Sequence, residues 1–305
     1  MRTSLSLQIQ TSLMYMDVAT SRLVEAQTRA ASGKRINRPS DDVPGTNRGL
    51  SLRSAISITD QFTNNIVVST PLLAATQNAM ADLVKAVRSV RDIAVAAANP
   101  DVTNSTKTAY LAQLDDILGQ MADVANTKHL DQYVFSGTAT NTPPITPQAG
   151  PNPYAYAGDS GARRVQVLSW VTLPVNVPGD RLFNFNGAAG PGTTDIFTMV
   201  KQLRDRIASG DARLVSAELD NIDANLDNML ACSAQVGSWA SRMERAKSTL
   251  EDTKVRLQSM LSDTEDIDLP QAVVDLKTQE NVYQAALAIS SRMLDLSLAS
   301  MQYVR

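Results

Sequence analysis

Between Leu52 and Ala97 the chain repeats apolar and small residues at alternating intervals of three and four: Leu52, Ala55, Thr59, Phe62, Ile66, Ser69, Leu73, Thr76, Met80, Leu83, Val87, Val90, Ala94 and Ala97. That spacing is a sustained heptad and predicts a long helix with one buried seam. Pro71 falls inside it and predicts a kink or short break near residues 69–72. After an interruption at 99–104, Leu111, Leu114, Leu118, Met121 and Ala125 continue the pattern in a shorter helix ending near Leu130. A further helix is expected around Val200, Leu203 and Ile207, stopped by Gly210. A second long heptad runs through Leu219, Ile222, Leu226, Met229, Ser233, Val236, Ala240, Met243, Lys247, Leu250, Lys254, Leu257 and Leu261. As one helix this segment spans roughly 65 Å. Its lysines weaken the seam and are expected at its edge.

The two ends of the chain carry thinner stripes. Residues 5–31 place Ile9, Leu13, Met16, Thr20, Leu23 and Ala30 on one face, and the last helix places Val282, Ala286, Ile289, Met293 and Leu296 on another. Such helices are marginal alone in water. Ile9, Leu13, Met16, Leu23, Val282, Ile289, Met293 and Leu296 are therefore candidates for a terminal-helix assembly stripe. The middle of the chain differs. Eight of the 13 prolines fall between Pro143 and Pro191, and "VQVLSWVTLPVNV" has β-branched residues in partial alternation. Residues 136–195 read as a small β-rich insertion.

Between the first two helices lies "GKRINRPSDD". Gly33 suits a helix C-terminus, because glycine adopts the left-handed conformation freely. Pro39 drives Arg38 out of the helical region. Ser40, Asp41 or Asp42 caps the next helix, and Pro44 sits in its first turn. Gly45 and Gly49 loosen that helix start. Gly33, Lys34, Arg35, Arg38, Pro39, Asp41 and Asp42 thus form a candidate inter-domain corner or subunit contact. The three cations either meet acids of a neighbouring subunit or form a solvated face. "SDTEDIDLP" predicts an acidic break at 262–270.

The expected fold is mainly α: an elongated rod of long antiparallel coiled-coil-like helices from both chain ends, with a small β-rich outer domain inserted in the middle. Three domains follow. Residues 1–40 with 270–305 form a pair of terminal helices whose thin stripes a lone chain buries poorly. Residues 41–135 with 196–269 form a helical shaft, and 136–195 form the β-rich outer domain.

Composition removes most other classes. Charged residues make up 19% and the net charge is −3, too mild for a nucleic-acid partner. No apolar run approaches a membrane span, and "MRTSLSLQIQTSLMYM" has no apolar h-region, so neither membrane insertion nor a cleaved signal is expected. Cys232 is the single cysteine and His129 the single histidine, which excludes disulfides and leaves no typical metal-ligand set. Asp115-Asp116 is a solvated face. "SGKR" lacks the upstream glycines and the preceding strand of a phosphate loop. No cofactor and no catalytic residue are expected.

The segment "LVEAQTRAASGKRINRPSDD", the helix that follows it and the C-terminal "ENVYQAALAISSRMLDLSLASMQYVR" resemble the flagellin and hook-associated protein 3 superfamily of bacteria over nearly the whole chain. "YVFSGTATNTPPI", "LPVNVPGDRLFNFNG" and the ending "SLASMQYVR" are more similar to the hook–filament junction type than to flagellin. Asp42-Val43-Pro44 departs from the usual Asp-Asp-Pro-Val order and shifts the cap register. The resemblance implies a non-enzymatic structural subunit of the flagellum, with copies of itself in a ring of about eleven and with residues 1–40 and 270–305 as an inner domain that is disordered in the monomer. Its implied partners are the first hook–filament junction protein, flagellin and a cytosolic flagellar export chaperone that holds the C-terminal region. The implied location is the extracellular flagellum, reached by type III export from the cytoplasm without a cleaved signal.

Overall fold

The computed structural model describes the backbone of residues 2–302 and the side chains of residue 7 and of residues 10–293. The order is α1 (Arg2–Ser32), α2 (Val43–Ala97), α3 (Asn104–Ala125), β1 (Lys128–His129), β2 (Gln132–Tyr133), β3 (Ile145–Pro147), β4 (Tyr154–Tyr156), β5 (Arg164–Leu168), β6 (Val171–Pro174), α4 (Gly179–Leu182), α5 (Ile196–Ser209), α6 (Ala212–Glu265) and α7 (Leu269–Gln302). The chain is mainly α, with long helices from both ends and a small strand-containing middle. Its contacts form two units: a terminal unit, reaching up to Ile58 and resuming at Thr253, and a central unit, Thr59–Asp252.

In the central unit, α2 and α6 bury their seams in one apolar core. They run antiparallel. Gln77 faces Gly237, and Arg91 Nε meets Asp223 Oδ1 at 2.6 Å. Gln77 and Arg91 lie 14 positions apart, as do Gly237 and Asp223, so the register holds over that length. The α2 seam is the predicted one: Ile66, Leu73, Met80, Leu83, Val87, Val90 and Ala94 are almost fully covered. No break occurs at Pro71, and α2 is one helix from Val43 to Ala97. Pro71 is exposed, so the carbonyl that loses its N–H partner, that of Val67, faces water.

The α6 seam departs from expectation in phase. Val215, Glu218, Ile222, Asn225, Met229, Cys232, Val236, Met243, Ala246 and Leu250 are buried, with Trp239 packed against them. Five predicted positions hold: Ile222, Met229, Val236, Met243 and Leu250. At the alternate positions Asn225, Cys232 and Ala246 are buried, while Leu226 and Trp239 are both half-buried against the core and Ser233, Ala240 and Lys247 are half-buried. The Asn225 amide makes this possible. Its Nδ2 donates to the Thr194 carbonyl at 3.1 Å and the Asn221 carbonyl at 2.9 Å. The Nδ2 group so partnered loses little on desolvation, whereas Asn225 Oδ1 is buried without a hydrogen-bond partner. Lys247 therefore never lies on the seam.

Helix α5 starts at Asp195, whose Oδ1 accepts from the Phe197 and Thr198 amides, and stops at Gly210 with φ 78°. It packs on α3, where Arg204 clasps Asp115 through Nε–Oδ1 at 2.6 Å and Nη2–Oδ2 at 3.1 Å. Helix α3 ends at Ala125, short of the expected Leu130, because the chain turns there into β1. The middle strands form three separate antiparallel hairpins, β1–β2, β3–β4 and β5–β6. Asp180, Arg181 and Leu182 lie in the short α4 helical turn, which Phe183 closes. A ring cluster replaces a continuous sheet. Phe135 and Phe183 meet edge-on at 5.5 Å, Phe183 meets Phe197 at 5.7 Å, and Tyr154 meets Phe197 at 5.1 Å. Tyr156 ties this region together. Its hydroxyl lies 2.9 Å from the Phe135 carbonyl and 2.8 Å from that of Asp159, and accepts from the Gly179 amide at 3.2 Å.

In the terminal unit, α1 packs antiparallel on α7. The face between them is made of Ser12, Met16, Ala19, Leu23, Ala26 and Ala30 on α1 and Ala272, Leu276, Gln279, Tyr283, Ala286, Ser290 and Met293 on α7. Small residues dominate, so little apolar area leaves water per turn.

Candidate functional site

The corner begins where α1 ends. Gly33 adopts φ 68°, and its N–H closes the helix on the Arg29 carbonyl at 3.0 Å. Asp41 then shapes the loop, its Oδ2 accepting from the Asn37 amide at 3.0 Å and the Arg38 amide at 2.9 Å. Pro39 occupies the second position of a turn closed by the Asp41 amide on the Arg38 carbonyl at 3.0 Å, where its fixed φ is favourable. These amides, that of Arg38 foremost, hold the Asp41 carboxyl below its ordinary range. Asp42 is the cap of α2. Its Oδ1 accepts from the Gly45 amide at 2.9 Å, and Arg35 lies 3.0 Å from its Oδ2. The Gly45 amide first, and the Arg35 guanidinium second, lower the Asp42 carboxyl.

This loop meets the chain segment that joins α6 to α7. Lys34 and Asp266 form an antiparallel bridge, the Arg35 amide donates to the Glu265 carbonyl at 2.6 Å, and the Ile267 amide donates to the Gly33 carbonyl at 3.1 Å. Arg35 also donates to the Thr264 carbonyl at 2.9 Å. The Glu265 carboxylate, 8% exposed, takes Lys34 Nζ at 3.2 Å and Arg53 Nη2 at 2.5 Å on its Oε2. Lys34 and Arg35 are thus engaged within the chain, and Arg38 is exposed.

Two contributors to this corner escaped the sequence reading, Arg53 and Glu265, and two that it named, Gly45 and Gly49, play a different part from the one expected. Both glycines are buried. A Cβ on Gly45 would strike Asp42 and Ile36, and one on Gly49 would strike the Glu265 carboxylate. They bring the crossings close rather than loosening the helix. The signal was present as two glycines at i and i+4, which share a helix face. The expected acidic break also narrows, because α6 continues through Glu265.

The terminal stripe divides. Met16, Leu23 and Met293 are half-buried between α1 and α7, whereas Leu13, Val282 and Ile289 are exposed by 47%, 47% and 54%. The side chains of Ile9 and Leu296 lie outside the described residues. Near Val282 and Ile289 the two helices part to leave an apolar cleft of about 590 Å³, bordered by Leu7, Tyr15 and Met293.

Among the described residues no three His, Cys, Asp or Glu side chains gather as a metal would need, and no helix is long and apolar enough to cross a membrane. The Cys232 thiol is buried in the seam, and desolvation pushes its pKa up, the reverse of an activated nucleophile.

The sequence pattern of the bacterial flagellin N-terminal helical region matches residues 5–140, and that of the C-terminal helical region matches residues 219–301. Together they take in well over half of the chain, including α1, the corner, Glu265 and nearly all of α7. The chain belongs to the flagellin family, a family of structural proteins of the bacterial flagellum. Within it the chain is similar to flagellar hook-associated protein 3 of Escherichia coli, 22% identical over 316 residues and 98% of each chain. It is also similar to the flagellin of Listeria innocua, 21% identical over 285 residues, 91% of this chain and 90% of that one. The flagellar junction protein FlgL of Legionella pneumophila shares the fold, with a TM-score of 0.60 at 17% identity over 73% of this chain and all of the other.

Proposed function

We propose that this chain is the axial subunit that joins the hook side of the flagellum to the flagellin filament, as a ring of about eleven copies closed by head-to-tail contacts. The observation that carries this reading is the end-to-end alignment with hook-associated protein 3. It runs through 98% of both chains, whereas the alignment with the Listeria innocua flagellin, which also crosses residues 141–218, takes in 91% and 90%. The terminal helices would form an inner layer, with Leu13, Val282 and Ile289 turned to neighbouring copies. The corner from Gly33 to Asp42 would join that layer to the start of α2. The middle region would face outward. Hook-side junction protein and flagellin are the neighbours on either side, and the chain leaves the cell by flagellar type III export after a chaperone has held its C-terminal helix.

The test is placement. Antibody labelling of isolated flagella is expected to mark one narrow band at the hook–filament joint. Cells without the gene are expected to carry bare hooks and release flagellin into the medium. Label along the whole filament would make the chain a filament subunit instead.

A further inference from the structure

The two chain crossings of the terminal unit, residues 33–42 and 266–268, meet at a single carboxylate. Its Oε1 rests over Gly49 of α2, and its Oε2 is shared by Lys34, from the first crossing, and Arg53, from α2. We propose that Glu265 is a latch, which decides whether the α1–α2 crossing stays docked on the end of α6 or opens from it.

Three observations carry this. The carboxylate is 8% exposed, whereas Lys34 and Arg53 are 42% and 51% exposed, so the buried charge depends on cations held at the rim. A buried carboxylate that loses its partners is expelled toward water. Apolar support is thin: Ala19, Leu52 and Ala272 are the buried hydrophobic residues among those described in the terminal unit, and at the corner itself Ile36 lies over Gly45. The docked position therefore rests on polar contacts, and the cations that converge on one oxygen repel each other once its charge is gone. Finally, the bonds that the latch secures are backbone bonds between the crossings, Arg35 amide to Glu265 carbonyl and Ile267 amide to Gly33 carbonyl. With the latch open, α1 loses its fixed attachment at Gly33 while α2 and α6 keep their own seam. The latch follows from this geometry and does not depend on the flagellar reading.

Amide hydrogen exchange on the full chain reads the latch at Arg35 and Ile267. Glu265→Gln keeps the side-chain shape and removes the charge. Gly49→Ala keeps the charge and obstructs its seat. Each is expected to speed exchange at both amides by about tenfold or more, with amides of Met243–Leu250 unchanged. Wild-type rates at Arg35 and Ile267 in either variant would overturn the latch, since seat and charge are both required. Equal acceleration at Met243–Leu250 would also overturn it, by making Glu265 a support of the whole fold.

Discussion

Asn225 and Leu226 are neighbours on α6, and it is the asparagine that is fully buried while the leucine stays at the edge of the seam. The inversion has a measurable consequence. Met229→Ala and Leu250→Ala remove core side chains and are expected to cost about 2–5 kcal/mol each. Leu226→Ala is expected to cost distinctly less, and Ser233→Ala and Lys247→Ala to stay within about 0.5 kcal/mol of wild type. Urea melts of the five variants decide. Equal losses at Leu226 and Met229 would put the seam back in the phase that hydropathy alone suggests.

The same neighbourhood shows how far the sequence could be read. A heptad in α2 was legible because most of its seam positions are apolar or small, and the apolar residues beside them, Leu72, Ala79, Val84 and Ile93, are buried with the seam and only widen it. In α6 the apolar signal alone favours Leu226 over Asn225. Asn225 belongs inside because the Thr194 carbonyl, more than thirty positions away, receives its amide. The corner divides in the same manner. Gly33, Pro39 and the Asp42 cap act on their own neighbours, and their roles were readable from local rules. Gly49 and Glu265 act on each other across more than two hundred positions, and neither announces its partner.

Glycine separates into two kinds along the helices. Gly119 of α3 has open space where a Cβ would stand. Gly119→Ala is expected to stabilise the chain by about 0.5–1 kcal/mol, through helix propensity alone. Thermal melts would show a rise of a degree or two. A fall would mean that α3 meets a neighbour at that face.

Tyr156 gives the fold an alkaline limit. Burial pushes its phenol up to about 12, against the opposing pull of the Gly179 amide. In the unfolded chain the phenol titrates near 10. The folded protein thus keeps a proton that the unfolded chain releases. The stability from this group is complete below pH 10 and is lost as pH rises through about 12. The span amounts to about 2–3 kcal/mol. Tyr156→Phe is expected to flatten that part of the stability–pH curve, at a cost of about 1–3 kcal/mol at neutral pH from the lost hydrogen bonds. An unchanged alkaline decline in the phenylalanine variant would assign the slope to other groups.

The thin α1–α7 face predicts uneven stability along the chain. Amides of residues 11–30 and 272–290 are expected to exchange at least about a hundredfold faster than those of 229–250 in the free protein, because local opening there uncovers little apolar surface. Comparable protection in both regions would show that the small-residue face is stronger than its area suggests.

Six strands that pair only two by two leave no ladder common to the middle of the chain. A residue added at the tip of one hairpin disturbs that hairpin's turn and nothing beyond it. The helices carry the opposite constraint. A residue added between Gln77 and Arg91 throws one of two facing pairs out of step unless α6 gains one as well. Change in length is therefore cheap in the hairpins and must be compensated in the helices, which makes the strand region the natural place for such chains to acquire new loops over evolutionary time.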